Sequence, residues 1–181
     1  MKINVFKSVL AASLVAATLA SCQSEPEVGS LLYPSTEENY SAKAFLYAVS
    51  TDGNKLALAG EKSASAVTLA GDSATFYVRL SSPAEKDVTV TLAASSDGVT
   101  AGNDEVVMGA EVVSLSKTSV TIAKGQTESE PIVVKLVNGD VLKNMPMLKN
   151  GVTSIVMKSV DGVQAASTNT SVLVATNFTF N

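Results

Sequence analysis

The chain has 181 residues, with 13 basic and 17 acidic side chains and a formal net charge of −4. This acidic balance argues against nucleic acid as a partner, because contacts with phosphates need clustered lysines and arginines. The lack of histidine excludes serine–histidine–aspartate and cysteine–histidine catalysis, together with any imidazole metal site. With a single cysteine, no internal disulfide can form, so stability has to come from packing in one core.

The first residues are typical of the leader of a bacterial lipoprotein. Lys2 and Lys7 give the chain a positive start, and the apolar run behind them is too short to span a bilayer as a stable helix. Leu19-Ala20-Ser21, with small side chains next to the cut, comes directly before Cys22. We therefore expect residues 1–21 to be removed and a lipid on Cys22 to anchor the protein in a membrane. An ordinary secretory leader is the alternative.

The segment 22–41 is polar and acidic, and we expect it to form a flexible tether. Removal of the leader takes two of the 13 basic residues and none of the 17 acidic ones, which leaves a net charge of about −6. At about 3.3 Å per residue, the extended tether would reach at most roughly 60 Å. Glu25 and Glu27 resemble the export signal of Bacteroidetes lipoproteins. That resemblance implies display on the outer membrane, facing the cell exterior.

From residue 42 onward, the chain alternates apolar and polar residues, is rich in β-branched residues, and is punctuated by glycine, asparagine and aspartate. This pattern predicts short antiparallel strands. The predicted strands cover residues 43–49, 55–58, 66–69, 75–80, 88–93, 112–116, 119–122, 132–137, 153–159 and 171–179. Many short strands without an internal repeat favour an all-β, antiparallel two-sheet sandwich of immunoglobulin type over residues 42–181. A small closed β-barrel is the alternative.

The same alternation predicts which side chains face the core. Val88-Thr89-Val90 belongs to a strand with one buried face, whereas residues 132–134 and 172–174 are apolar on both faces and indicate central strands. The neighbours Phe76 and Tyr77 must face opposite ways. One of these two rings is therefore expected in the core, and the other on the outside or under a loop.

Two stretches of the sequence resemble a Bacteroidetes surface-lipoprotein domain family of unknown function. The first, Phe76–Leu92, is a strand, a polar turn with alanine and aspartate, and a strand of the Val-Thr-Val type; the second, Val113–Gly125, is a serine, valine, isoleucine, glycine hairpin. The resemblance implies an immunoglobulin-like sandwich over residues 42–180. Its motifs are turns and core positions and carry no catalytic residue.

Members of that family often precede glycan-binding or glycoside hydrolase domains in surface lipoproteins, which implies a link to glycan capture. This chain departs from that layout in two respects. It is expected to lack an appended domain, since it ends at Asn181 directly after the last predicted strand, and no tyrosine-bearing insertion lies between Leu92 and Val112.

The function expected from these features is that of a lipid-anchored, non-catalytic surface module that binds glycans beside an uptake system. A protein-interaction or scaffolding subunit of a surface complex is the alternative. Tryptophan is absent, so Tyr33, Tyr40 and Tyr47 are the candidate glycan contacts, because an aromatic ring offers a flat apolar surface with a polar tip. Packing within the protein is the competing interpretation for each ring. The expected partners are thus a membrane, through Cys22, and a polysaccharide or surface protein.

An acidic loop between two predicted strands carries residues that a catalytic or a calcium site could use. A glycosidase requires two carboxylates about 5 to 10 Å apart, and Asp97, Asp104 and Glu105 are close in sequence. With Asn103 they also offer oxygens of the kind that Ca²⁺ prefers. Turn chemistry explains the loop more simply, since aspartate before glycine marks a turn and the spacing differs from that of a calcium loop. We therefore expect no enzyme, no cofactor and no metal, with calcium in this loop left open.

Two further segments of the chain have a possible functional role. The loop that follows Asn138 is unusually apolar, through Leu142, Met145, Met147 and Leu148. It is either a contact surface for a protein partner or a flap that seals one end of the sandwich.

The second segment, Asp72-Ser73-Ala74, resembles the acceptor motif for protein O-glycosylation in Bacteroidetes, with Ser73 as the residue that would be modified.

Overall fold

The computed structural model describes residues 41–50, 53–63, 66–146 and 149–180. All of them belong to one compact unit, Ser41–Asn181. The predicted leader and nearly all of the predicted tether lie outside the described residues. Within the described ranges, no helix has the length and apolar character needed to cross a membrane.

The described residues form twelve strands, one turn of α-helix and one 3-10 turn. The strands are β1 (Lys43–Ala48), β2 (Lys55–Lys62), β3 (Val67–Leu69), β4 (Ser73–Leu80), β5 (Val88–Ser95), β6 (Glu105–Val107), β7 (Val113–Leu115), β8 (Ser119–Ile122), β9 (Ile132–Leu136), β10 (Asn150–Asp161), β11 (Gln164–Ala165) and β12 (Ser171–Phe180). The 3-10 turn is Ala110–Val112, and α1 is Gly139–Leu142.

The strands make two sheets that pack face to face. The first sheet has the order β11-β1-β4-β9-β7; the second has the order β3-β2-β12-β10-β5-β8, with β6 beside β10. This arrangement confirms the predicted all-β sandwich rather than the alternative closed barrel. The pairings are mostly antiparallel, as predicted, but β1–β11, β10–β6 and β12–β2 are parallel. Alternation in a sequence predicts the face that a side chain occupies, not the direction of its neighbour.

Each predicted strand has an observed counterpart with ends shifted by a few residues. Four short elements were not predicted, each two to four residues long: β6, β11, α1 and the 3-10 turn. Glycine turns behave as predicted: Gly53, Gly71, Gly98, Gly125 and Gly162 all have positive φ angles. At the turn before α1, however, Asn138 adopts the left-handed conformation with φ 58°, a conformation that asparagine tolerates better than most residues.

Alternate residues from both sheets form the core. Phe76, Leu46 and Ile155 are almost completely buried. The one-sided strand is confirmed, since Val88 and Val90 are buried and the threonines beside them are half-exposed. The two-sided apolar runs are confirmed as inner strands: β9 lies between β4 and β7, and β12 lies between β2 and β10.

The loop after Asn138 folds back onto the sandwich. Leu142 is fully buried, Met145 packs against the core cluster, and α1 contacts β3 and the 3-10 turn. These contacts agree with the interpretation of this loop as a seal at one end. Met147 and Leu148 lie outside the described residues.

Candidate functional site

The outward surface of the β11-β1-β4-β9-β7 sheet, called the outer face below, carries a row of aromatic side chains. Because Phe76 is buried against the core, its neighbour Tyr77 points outward, as the sequence required. On β1 the inward residues are buried, so Phe45 and Tyr47 also point outward. Tyr47 lies directly opposite Tyr77 in the β1–β4 ladder. The rings of Phe45, Tyr47 and Tyr77 form what we call the aromatic row.

Arg79 holds one end of this row in place. Its guanidinium carbon lies 3.7 Å from the centroid of the Tyr47 ring, and Arg79 lies opposite Phe45 in the ladder. Glu128 forms an ion pair with Arg79 and a backbone bridge to it. A guanidinium over an exposed tyrosine contributes about 0.5–1 kcal/mol, and the carboxylate restricts its position further. Since Arg79 covers one side of the Tyr47 ring, a stacking ligand has to use the other side or the ring of Tyr77.

A groove lies at the other end of the outer face, along β7 and β9. It has a volume of about 320 Å³ and is lined by Ser114, Leu115, Ser116, Val133 and Lys135. Ser114 lies opposite Lys135 across the β7–β9 ladder. The Val133 amide donates a 2.9 Å hydrogen bond to Ser116 Oγ, which fixes this hydroxyl in the wall of the groove.

An ion pair lies next to this groove in the sequence. Lys117 binds Glu130 through its ammonium group. That hydrogen bond and the lysine charge hold the pKa of the Glu130 carboxyl below its ordinary value. Glu130 is therefore ionised and already neutralised by Lys117 at physiological pH, so it does not offset the charge of Lys135.

The acidic loop has the contacts of a turn. The Asp97 amide donates to Ser95 Oγ at 3.1 Å, and Glu105 accepts a 3.0 Å bond from the Gly102 amide. Asp104 lies 4.0 Å from the ammonium group of a lysine, Lys149, and Glu105 lies 3.6 Å from that of Lys55. In the part of the chain that the structure describes, no group of three or more His, Cys, Asp or Glu side chains is placed to hold a metal ion.

A buried cation that the sequence pattern did not predict, Lys62, lies on the core side of β2. Only 2% of its surface is exposed. Its Nζ donates to the Lys149 carbonyl at 3.2 Å and lies 4.1 Å from the centroid of the Phe178 ring. Burial lowers the pKa of Lys62, because desolvation disfavours its charged form. The predicted strand ended at Leu58; continued alternation to the observed end of β2 would have placed Lys62 inward.

The predicted site residues are only partly covered by the structure. Tyr47 is 37% exposed and belongs to the aromatic row, whereas Tyr33, Tyr40, Cys22 and the 19–21 segment lie outside the described residues. The neighbours of Tyr47 in this row, Phe45 and Tyr77, were not among the predicted glycan contacts.

Ser73, the predicted glycosylation residue, is the first residue of β4 and is exposed. Its amide donates to Asp72 at 2.9 Å, and the other Asp72 oxygen accepts a 3.2 Å bond from the Ala59 amide. The motif therefore forms an ordered turn with an accessible hydroxyl. Modification of Ser73 stays a prediction.

Fold and surface together define an all-β sandwich domain with an aromatic row on the outer face of one sheet. Residues 40–164 match the model of a protein family described as "-like, N-terminal domain". That match covers most of the chain, and the chain belongs to this family. No curated protein matches the sequence.

Two solved structures with a similar fold come from Bacteroides species. A two-domain protein of unknown function from Bacteroides fragilis aligns with a TM-score of 0.55 and 18% identity over 76% of this chain and 46% of its own. A "putative carbohydrate binding protein" from Bacteroides ovatus aligns with a TM-score of 0.51 and 19% identity over 74% of this chain and 36% of its own. At these identities the likeness shows the fold alone. The chain spans less than half the length of either protein.

Proposed function

We propose that this protein is a lipid-anchored, non-catalytic surface module that binds glycans through the outer face of its first sheet. The observation that carries the proposal is the aromatic row, in which Tyr47 and Tyr77 lie on neighbouring strands. Rings held by strands on a rigid sheet lose little freedom on binding, because the scaffold has already ordered them. Arg79 adds to this order by holding the Tyr47 ring.

Polar groups surround the row, as recognition of a sugar requires. Ser73 and Thr75 precede Tyr77 on the outward side of β4, and Thr75 lies opposite Val133 of the groove. Sugar hydroxyls need such donors and acceptors, while the apolar side of a sugar ring packs on an aromatic ring. The combination of flat apolar rings with nearby hydroxyls fits a carbohydrate better than a purely apolar ligand.

The comparisons support a binding function. The Bacteroides ovatus structure bears a carbohydrate-binding description, and neither this description nor that of the Bacteroides fragilis protein names a catalytic activity. The chain itself has no histidine, and its acidic loop places two carboxylates beside lysines instead of across a cleft. These observations favour capture of a glycan over its cleavage.

The anchoring part of the proposal is supported by the sequence around Cys22. A lipidated Cys22 followed by acidic residues predicts an outer-membrane protein that faces the cell exterior; its place beside an uptake system belongs to the proposed glycan binding. Metabolic labelling with a radioactive fatty acid tests this, since wild-type protein should incorporate the label and Cys22→Ser should not. Label in Cys22→Ser, or none in the wild type, would contradict the anchoring proposal.

Affinity electrophoresis tests the glycan part directly. Full-length protein in detergent would be run through native gels that contain plant or host polysaccharides. We expect one glycan class to retard the wild type and Tyr47→Ala to lose that retardation. Phe180→Ala is the matched control, because Phe180 is an aromatic residue on the other sheet with a similar exposure of 41%. Absence of retardation by every glycan, or equal loss in both variants, would refute the proposal.

The second candidate function, a scaffolding subunit, is favoured by the free edge of β7. In the described part of the chain, no strand pairs with the side of β7 that faces away from β9. An extended segment of a partner protein can add to such an edge through main-chain hydrogen bonds. Leu115→Pro, which removes an amide on the side of β7 that faces away from β9, would weaken that partner's binding while leaving the aromatic row in place.

A further inference from the structure

We infer that the outer face takes an acidic polysaccharide, and that Lys135 in the β7–β9 groove binds its carboxylate or sulfate group. This inference rests on the proposed glycan-binding function and assigns it a ligand class. It joins the groove and the aromatic row into one extended site.

The first argument is the charge of the groove. Lys135 is the charged member of the groove lining, and among the described residues no carboxylate forms an ion pair with it. Glu128 and Glu130, which precede β9 in the chain, are already paired with Arg79 and Lys117. The groove therefore carries an uncompensated positive charge on a protein whose net charge is −4. An anionic ligand is what such a local field favours.

The second argument is the hydrogen-bonding capacity of the groove. Ser116 Oγ accepts from the Val133 amide, so its own hydrogen remains available as a donor. Ser114 is exposed and lies opposite Lys135. An anion between Lys135 and these hydroxyls would receive charge-assisted hydrogen bonds, which are about twice as strong as neutral ones. A neutral sugar would gain no such advantage there.

The third argument is the distance from the aromatic row. Lys135 lies opposite Ser73 across the β4–β9 ladder, and Tyr77 is four residues further along β4. At about 3.4 Å per residue, this places the Tyr77 ring roughly 14 Å along the face from the level of Lys135. Both residues point away from the core. One oligosaccharide lying along the strands can therefore stack on the row and present an acidic group to the groove.

Affinity electrophoresis with matched pairs of polysaccharides tests the inference. Full-length protein in detergent would be run against polygalacturonate and its carboxyl-reduced form, and against dextran sulfate and plain dextran. Lys135→Met removes the charge while keeping the length of the side chain. Lys158→Met, which changes an exposed lysine on β10 of the other sheet, is the control.

We expect at least one acidic polysaccharide to bind more tightly than its neutral counterpart, and Lys135→Met to weaken that binding about tenfold, the loss typical of a charge-assisted contact. Lys158→Met should leave it unchanged. Preference for polygalacturonate assigns a carboxylate, and preference for dextran sulfate assigns a sulfate.

Three outcomes overturn the inference. Equal binding of acidic and neutral forms, with retardation still lost in Tyr47→Ala, would leave the glycan function standing and remove the acidic ligand. An equal loss in the two lysine variants would show attraction by overall charge only. Absence of binding to every polysaccharide would remove the glycan function as well.

Discussion

The turn after β10 gives a sharp test of the packing described above, through the substitution Gly162→Ala. Gly162 has a φ angle of 105°, well outside the region that alanine adopts readily. A Cβ atom at this position would also lie 2.7 Å from the Asp87 carbonyl oxygen and 3.2 Å from Val88 Cα. Both are backbone atoms at the start of β5, so neither can move aside as a flexible side chain would.

Gly98→Ala is the matched control for this substitution. Gly98 also has a positive φ angle, 71°, but a Cβ atom there would meet nothing within 4 Å. The control therefore measures the cost of the left-handed backbone alone, about 1–2 kcal/mol. Gly162→Ala adds the clash with β5, which overpacking data place at about 1–3 kcal/mol. The expected total for Gly162→Ala is about 2–5 kcal/mol.

Thermal unfolding followed by far-UV circular dichroism measures the difference between the two variants. For a chain of this size, 1 kcal/mol corresponds to a Tm shift of about 2–4 °C. Gly162→Ala should lower Tm further than Gly98→Ala, by the shift that corresponds to the clash of about 1–3 kcal/mol. Equal shifts for the two variants would refute the contact between this turn and the start of β5.

Two more predictions concern the core and its buried cation. Phe76→Ala should lower the free energy of unfolding by about 3–5 kcal/mol, because Phe76 is fully buried. Urea titration measures this loss, with the exposed-ring variant Phe180→Ala as the control. A similar loss in both variants would contradict the assigned core. Burial lowers the pKa of Lys62 in the folded state, so the unfolded chain holds this proton at pH values where the folded protein releases it. Wild-type stability should therefore rise with pH between that lowered pKa and the ordinary value of 10.5, and Lys62→Met should lose this rise while Lys158→Met keeps it. Unfolding at a series of pH values measures the slope, and an unchanged slope in Lys62→Met would refute the burial of the ammonium group.

Most of the fold could be predicted from local patterns in the sequence. Alternation placed the strands and their buried faces, and it required Phe76 and Tyr77 to point in opposite directions. Glycine and asparagine marked the turns, although Asn138 took the left-handed position next to Gly139. These features depend on residues close together in the chain, so a single sequence carries them.

The missed features depend on contacts between distant segments. The parallel pairing of β2 with β12 joins residues more than a hundred positions apart, and nothing in either strand marks its partner. β6 and β11 are too short to show alternation and exist because longer strands offer them an edge.

The candidate site was only partly predictable for the same reason. Tyr47 was identified as a possible glycan contact from its residue type, but its position opposite Tyr77 depends on the register of β1 with β4. The groove around Lys135 depends on two further ladders. Sequence alone offered the aromatic residues as candidates, and the sheet order brings them together with the lysine on one surface.

The measurement that tests the central claim most directly is a map of backbone amide shifts in the isotopically labelled protein during titration with an oligosaccharide. The oligosaccharide would be prepared from whichever polysaccharide retards the protein in gels. We predict that the shifted amides cluster on β1, β4, β7 and β9, which carry the aromatic row and the groove. Shifts confined to β2, β12 and β8 of the other sheet would contradict the assignment of the outer face as the glycan-binding surface.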